Sequence, residues 1–344
     1  MLKKIGIVLF VLSLIVGAFG YQKYQDIYGS NVSIDLQNPF ILIPTGTDYE
    51  GLKKLLIDQD ILKDVGSFDW VASLMKYDQS AIKSGKYKIE SGWSNRKLIQ
   101  HLRSGKQTPV NLIVNNERLL VGVAGQIAPF IEPDSTALIS AMLDPMMMDK
   151  YGLKAETMMS LFIPNTYEVY WDSPAAKFLD RMKKENDKFW LSNNRMDKLK
   201  LLDMSKEEVY TLASIVEKET NYIPEKKIVA GVYLNRLKRG IMLQADPTVV
   251  YANQDFGIRR VLHKHLEKDS PYNTYKYAGL PPGPISMASI SSIDAVLQNQ
   301  AHNYLYFCAK PDNSGQHAFA KTLSQHNANA RKFQTWLNKQ RIFK

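Results

Sequence analysis

The sequence predicts an α+β protein in three parts: an N-terminal membrane anchor, a small α+β module and a larger α+β domain. Three observations carry this. Lys3 and Lys4 precede an uncharged, almost wholly apolar run from Ile5 to Gly20. A strand–turn–helix pattern then recurs between residues 40 and 123. From Ser205 onward, an apolar helix carrying two glutamates leads into loops rich in Pro, Gly and Tyr. The boundaries read as 1–22 for the anchor, 23–39 for a polar spacer, 40–107 for the module and 108–344 for the larger domain.

A charged start followed by an apolar run is the pattern of an export signal or anchor. The run is slightly shorter than the ~20 residues of a spanning helix, and Tyr21 and Gln22 extend it. Phe19 spoils Gly17 to Gly20 as a small-x-small cleavage site, so an uncleaved signal anchor is preferred. Lys3 and Lys4 stay inside by the positive-inside rule. The rest of the chain is then expected on the outer, periplasmic face of a bacterial inner membrane that it crosses once.

The module is built of short repeated units. Phe40 to Ile43 reads as a strand, Pro44-Thr45-Gly46 as its turn, and Thr47 with Glu50 as the capping box of a helix with Leu52, Leu55 and Leu56 inward. The second unit has Tyr87 to Ile89, the turn Glu90-Ser91-Gly92, and a helix capped by Ser94 with Leu98, Ile99 and Leu102 inward. A helical stretch holding Trp70, Leu74 and Met75 joins the two. The third unit, Val110 to Val114 and a helix with Leu119, Leu120 and Val123, leads into the larger domain.

Residues 134 to 200 read as helical and connective, with Met142, Met146, Met147 and Met148 as gap-filling core. Ser205 and Glu208 then form a capping box. Val209, Leu212, Ala213, Val216 and Thr220 follow the period of a buried helix face. Asn221 is expected to end this helix, Pro224 to start the next and Gly240 to stop it, with Ile228, Val232 and Leu237 lining it. A strand at Tyr304 to Ala309 and an amphipathic helix at Asn327 to Gln340 close the chain.

The net charge of +10 suits an anionic partner. The export signal argues against nucleic acid, and no nucleic-acid motif occurs. Lipid headgroups and wall polymers with free carboxylates remain. The single cysteine, Cys308, excludes an internal disulfide and sits in an apolar run as a small core residue. Met clusters and the pair His263/His265 lack the surroundings of a metal site, so no metal or cofactor is expected.

Glu217 and Glu219 sit about 200° apart around a helix, so they cannot face each other. Each borders the apolar stripe, and periodicity does not choose between them. A partly desolvated carboxyl there has a raised pKa and suits protonation of a glycosidic oxygen. Asp246 is the second carboxylate a hydrolase needs, although Asp246-Pro247-Thr248 also reads as a turn tied down by the Asp side chain. Tyr272 to Tyr275 offers ring faces and polar groups suited to a sugar. Gly279 to Pro284 is a stiff loop that shapes a groove and could hold a cis peptide.

The ordered motifs SIVEKET, Asn235-Arg236-Leu237, Leu243 to Tyr251, Tyr272 to Tyr275, Gly279 to Ile285, Tyr304 to Phe307 and His317-x-Phe319 with Thr322 resemble the YceG-like family of endolytic murein transglycosylases. The resemblance covers essentially the whole chain. It makes the larger part a YceG-like catalytic domain and residues 40–107 a LysM-like module. It implies a lyase that cuts peptidoglycan glycan strands between N-acetylmuramic acid and N-acetylglucosamine, leaving 1,6-anhydro ends and terminating strands. It assigns Glu217 as the catalytic acid and implies that Gln244, Asp246, Thr248, Asn273, Thr274, Tyr275 and His317 contact substrate. The nucleophile is the substrate's own C6 hydroxyl, so no second carboxylate is required. Glycan strands and the inner membrane are the implied partners, with peptidoglycan synthases as a further candidate. A water-using glycosidase and a non-enzymatic wall-binding scaffold are the alternatives. The chain departs from the family pattern at Met287-Ala288-Ser289, where Asn-Pro-Gly is common, and at Asn165, where Asp is usual.

Overall fold

The computed structural model describes residues 2–340. The chain forms two compact units. The first holds the residues up to Leu112, with the segments Phe130–Pro133 and Glu168–Pro174; the second holds the remainder.

In the first unit, α1 (Leu2–Tyr28) is long and apolar enough to cross a membrane, with a mean hydropathy of 2.1 over its richest stretch. It is followed by β1 (Phe40–Ile43), α2 (Tyr49–Asp58), α3 (Val65–Leu74), β2 (Gly85–Lys88) and α4 (Asn95–Ser104). β1 and β2 pair antiparallel, with Ile41 opposite Tyr87. A two-stranded sheet is marginal by itself, so the helices supply the core. Ile41, Ile43 and Tyr87 meet Leu52, Leu56, Phe68, Val71, Leu98, Ile99 and Leu102, all fully buried or nearly so. The α2 cap is Asp48 rather than Thr47, because its carboxylate accepts from the Gly51 N–H at 2.8 Å. Ser94 caps α4 as the sequence indicates.

The segment read as a spacer is largely structured. α1 runs on to Tyr28, and Asn31 and Val32 both donate to the Trp93 carbonyl. Two buried asparagines bind this region to the helices. Asn95 Nδ2 donates to the Asp26 carbonyl at 2.9 Å and to Ser67 Oγ at 3.0 Å. Asn31 Nδ2 donates to Asn95 Oδ1 at 2.7 Å and to the Asp64 carbonyl at 2.8 Å, while its Oδ1 accepts from the Asp64 N–H at 2.7 Å.

The next elements are β3 (Val110–Val114), α5 (Leu120–Ile127), α6 (Ser135–Met142), α7 (Pro145–Tyr151), β4 (Asn165–Val169), α8 (Ala175–Leu191) and α9 (Arg195–Leu202), with β3 paired to β4. The second unit is centred on α10 (Lys206–Glu219) and α11 (Ile223–Lys238), with α12 (Asp246–Asn253), α13 (His263–Leu266) and α14 (Ile290–Leu297) around them. α14 packs on both α10 and α11. β5 (Tyr306–Ala309) and β6 (His317–Ala320) form an antiparallel hairpin covered by α15 (Leu323–Lys339). α15 starts four residues before the expected Asn327 because Thr322 caps it, accepting from the Gln325 N–H. All peptide bonds among the described residues are trans, including those of the loop 279–284. That loop is instead held by contact: a Cβ on Gly283 would lie 2.0 Å from the Glu156 carbonyl oxygen.

Asn95→Ala strands several buried polar groups and is expected to cost about 2 kcal/mol. Hydrogen exchange should show faster opening of the amides at residues 23–32, with the amides of α10 unaffected.

Candidate active site

α10 begins at the capping box read from the sequence. Ser205 Oγ accepts from the Glu208 N–H at 3.1 Å, and Glu208 Oε2 accepts from the Ser205 N–H at 2.7 Å. The helix is buried from Val209 to Val216 and ends at Glu219, with Thr220 as its extended C-cap. Both glutamates therefore lie in its last turn, in opposite environments.

Glu217 faces α11 and α14. Its Oε2 accepts from Lys226 Nζ at 2.9 Å, from Ser289 Oγ at 2.5 Å and from Ser292 Oγ. Burial pushes this carboxyl up, but the bonds from Ser289, Ser292 and Lys226 outweigh it and hold the group below the usual carboxylate range. The expected acid is thus a paired, ionised carboxylate that lines neither cavity described below. Ser289 belongs to the departing tripeptide and is also the N-cap of α14.

Glu219 faces the opposite way. It lies where two cavities meet, one of about 260 Å³ and one of about 340 Å³, and lines both together with Asp246. Its Oε1 accepts from Tyr233 Oη at 2.5 Å. Burial pushes its pKa up to about 7, with the nearby Asp246 adding to the rise; the Tyr233 bond and the Arg236 charge oppose it. Its place at the C-terminal end of α10 also disfavours negative charge. Glu219 is therefore a carboxyl that takes up and releases its proton near neutrality.

α11 supplies both carboxylates' partners from one face: Lys226 and Tyr233 are two helical turns apart. The buried face of α11 includes Glu225, Lys226, Val229, Val232, Tyr233 and Arg236; of the expected Ile228, Val232 and Leu237 only Val232 belongs to it, because the face carries charges that apolar periodicity does not register. Arg236 is 8% exposed and donates to the carbonyls of Leu305, Leu243 and Met242.

The other expected contacts divide. Gln244, Asp246 and Tyr275 line the larger cavity beside Tyr233, Tyr306, Phe307 and His326. Asp246 is the first residue of α12 and accepts from Tyr275 Oη at 2.6 Å, so it is not the turn tie expected of it. Gln244 holds φ at +47°, a strained value that the Gln244 N–H to Thr274 carbonyl bond helps fix. Thr248, Asn273 and Thr274 are buried scaffolding. Thr248 and Thr274 bond each other at 2.8 Å, and Asn273 Nδ2 donates to the Leu266 and Lys268 carbonyls. His317 is held by Glu225, 2.9 Å from its Nδ1, and lines neither cavity. Asn165 is exposed on β4 and lines neither.

The smaller cavity was not foreseen. Arg118, Lys218 and Arg259 line it with Phe256, Tyr251 and Ile258. Arg118 lies over the Phe256 ring, 4.9 Å from its centroid. Burial and the nearby Arg118 lower the Lys218 pKa.

The family profile described as the YceG-like family matches residues 41–332. An endolytic murein transglycosylase of Bacillus subtilis is 31% identical over 85% of this chain and 84% of its own length. One from Streptococcus pneumoniae is 26% identical, over 93% of this chain and 64% of its own length. A 2.6 Å crystal structure of a yceG-like protein from Listeria monocytogenes superposes with a TM-score of 0.54 at 30% identity, covering 84% of this chain and 97% of that one.

Glu217→Gln weakens the Lys226 pair and is expected to lower stability by about 2 kcal/mol, or several degrees in Tm. Glu219 behaves in the opposite sense. Its folded pKa near 7 exceeds its ordinary value of 4.5, so the folded state holds a proton that the unfolded chain releases between those values. Stability should therefore fall as pH rises through that window, and Glu219→Gln should flatten the slope in denaturation curves taken from pH 4 to 8.

Proposed function

The chain belongs to the YceG-like family, and on that footing we propose that it is a membrane-anchored lytic transglycosylase of peptidoglycan glycan strands, with Glu219 as its acid. The observation that carries the reading is a carboxyl of pKa about 7 at the junction of two cavities. A general acid works best with its pKa near the working pH.

Glu219 gives its proton to the oxygen joining C1 of N-acetylmuramic acid to O4 of N-acetylglucosamine, and the C1–O bond breaks. The resulting carboxylate takes the proton of the muramyl C6 hydroxyl. That oxygen closes on C1, forming the 1,6-anhydro ring and returning the acid to its starting state. No water is consumed, and the nucleophile is already tethered to the reacting carbon. Tyr233 holds one carboxyl oxygen and leaves the other for the substrate. Asp246 raises the Glu219 pKa and fixes the Tyr275 hydroxyl.

The apolar α1 supports a single-pass anchor, with the remaining chain on the outer face by the positive-inside reading of Lys3 and Lys4. The β1–α2–α3–β2 order and its antiparallel pair support a LysM-like, glycan-holding module over residues 40–107. Cleavage of nascent strands then terminates their elongation, with peptidoglycan synthases as candidate partners.

Mass spectrometry of strand ends after digestion of purified peptidoglycan tests the reaction. Anhydro-muramyl ends are expected from the wild type, with Glu219→Gln slower by about 10²–10⁴-fold and Glu217→Gln retaining most of its turnover once folded. Reducing ends would instead indicate water attack with Asp246 as the base. The pH profile tests the acid separately. kcat/KM should decline above about pH 7, where Glu219 loses its proton. Tyr233→Phe removes a bond that favours the carboxylate and should move that limb to higher pH. A limb unmoved by this substitution would remove Glu219 from the role.

A further inference from the structure

The two cavities that meet at Glu219 differ in charge in a way the reaction does not require. Among the described residues, Arg118, Lys218 and Arg259 on the smaller cavity form no ion pair with a carboxylate. Arg118 is half-buried and braced over Phe256, and Arg259 is exposed. The larger cavity is walled by Tyr275, Tyr306 and Phe307. Its one arginine, Arg236, is buried, donates through Nε and Nη1 to the carbonyls of Leu305, Met242 and Leu243 and to Gln244 Oε1, and lies over the Tyr306 ring at 5.1 Å. Its one histidine, His326, is held toward the neutral form by burial and by Arg236.

Accessible, unpaired cations around a small cavity are a site for a carboxylate. Aromatic walls without such cations suit the faces of a neutral sugar. The two sugars of the proposed substrate differ in this property: the muramyl residue carries a lactyl carboxyl group, either free as a carboxylate or amide-linked to a peptide that bears carboxylates of its own, and N-acetylglucosamine carries none.

We infer that Arg118 and Arg259, with Lys218 behind them, select the acidic sugar into the smaller cavity and so fix the direction in which the strand crosses Glu219. This rests on the transglycosylase reading above. The sugar whose C6 oxygen attacks lies in the basic cavity, and the sugar that leaves through O4 lies in the aromatic one. The three cations determine specificity and orientation, and the proton transfers remain with Glu219.

The test is calorimetric binding to the full-length Glu219→Gln protein in detergent, which keeps the ligand intact. The probes are an alternating muramyl–glucosaminyl tetrasaccharide with free lactyl carboxylates, the same molecule with those carboxylates converted to methylamides, and a chitin tetrasaccharide. The acid form should bind at least tenfold more tightly than the methylamide at low salt, with the gap closing as salt rises. Arg118→Gln or Arg259→Gln, added singly, should close the gap by lowering affinity for the acid form alone. Arg259 is exposed, so its variant keeps the test informative if Arg118→Gln fails to fold. Equal binding of acid and methylamide, or variants that weaken both alike, would overturn the inference and leave the transglycosylase reading standing. No binding of any of the three glycans would overturn both.

Discussion

Two carboxyl groups, two residues apart at the end of one helix, have their pKa values pushed in opposite directions. Glu217 is held below the usual carboxylate range by Lys226 and two serines, while Glu219 is pushed up to about 7 by burial, with Asp246 and the helix end adding to the rise. The rest of the second unit follows from this constraint. α11 must present a cation and a phenol on one face, and α14 must begin with serines. α12 must begin where Asp246 can face the same space as Glu219. The Glu217 bonds fasten the last turn of α10 to α11 and α14, and Glu219 is oriented by its own bond from Tyr233.

The framework of this arrangement was legible in the sequence because its signals are local. The Ser205–Glu208 box, the apolar period of α10, the Pro224 start of α11 and the Ser94 cap all depend on residues within a turn of one another, and each forms where expected. The choice between Glu217 and Glu219 was not legible in this way. It depends on Lys226, Tyr233, Ser289 and Ser292, whose approach is tertiary, and the family resemblance resolved it toward Glu217. Lys226 and the two serines of α14 together form the cage around Glu217, and nothing local to α10 points to them.

The predicted substrate contacts divide for a related reason. Thr248, Asn273 and Thr274 are polar residues in a distinctive motif, which is also how a buried hydrogen-bonded scaffold reads in sequence. Their bonds to backbone and to each other set the position of Gln244 and Tyr275, which line the larger cavity. The cations of the smaller cavity went unseen because Arg118, Lys218 and Arg259 come from three distant segments and belong to no common period.

The buried asparagines of the first unit have a consequence of a mechanical kind. Asn31 and Asn95 lock the end of α1 into the helices that follow, so the unit has no swivel between its apolar helix and its folded body. In a bilayer, a helix of fixed hydrophobic length adjusts its tilt to the local thickness. With α1 as the proposed anchor, the Asn31 and Asn95 bonds pass that tilt to the body of the unit, as a lever passes on rotation at its pivot. For a chain anchored through α1, as proposed above, membrane thickness becomes an input that sets the angle at which the first unit stands above the lipid.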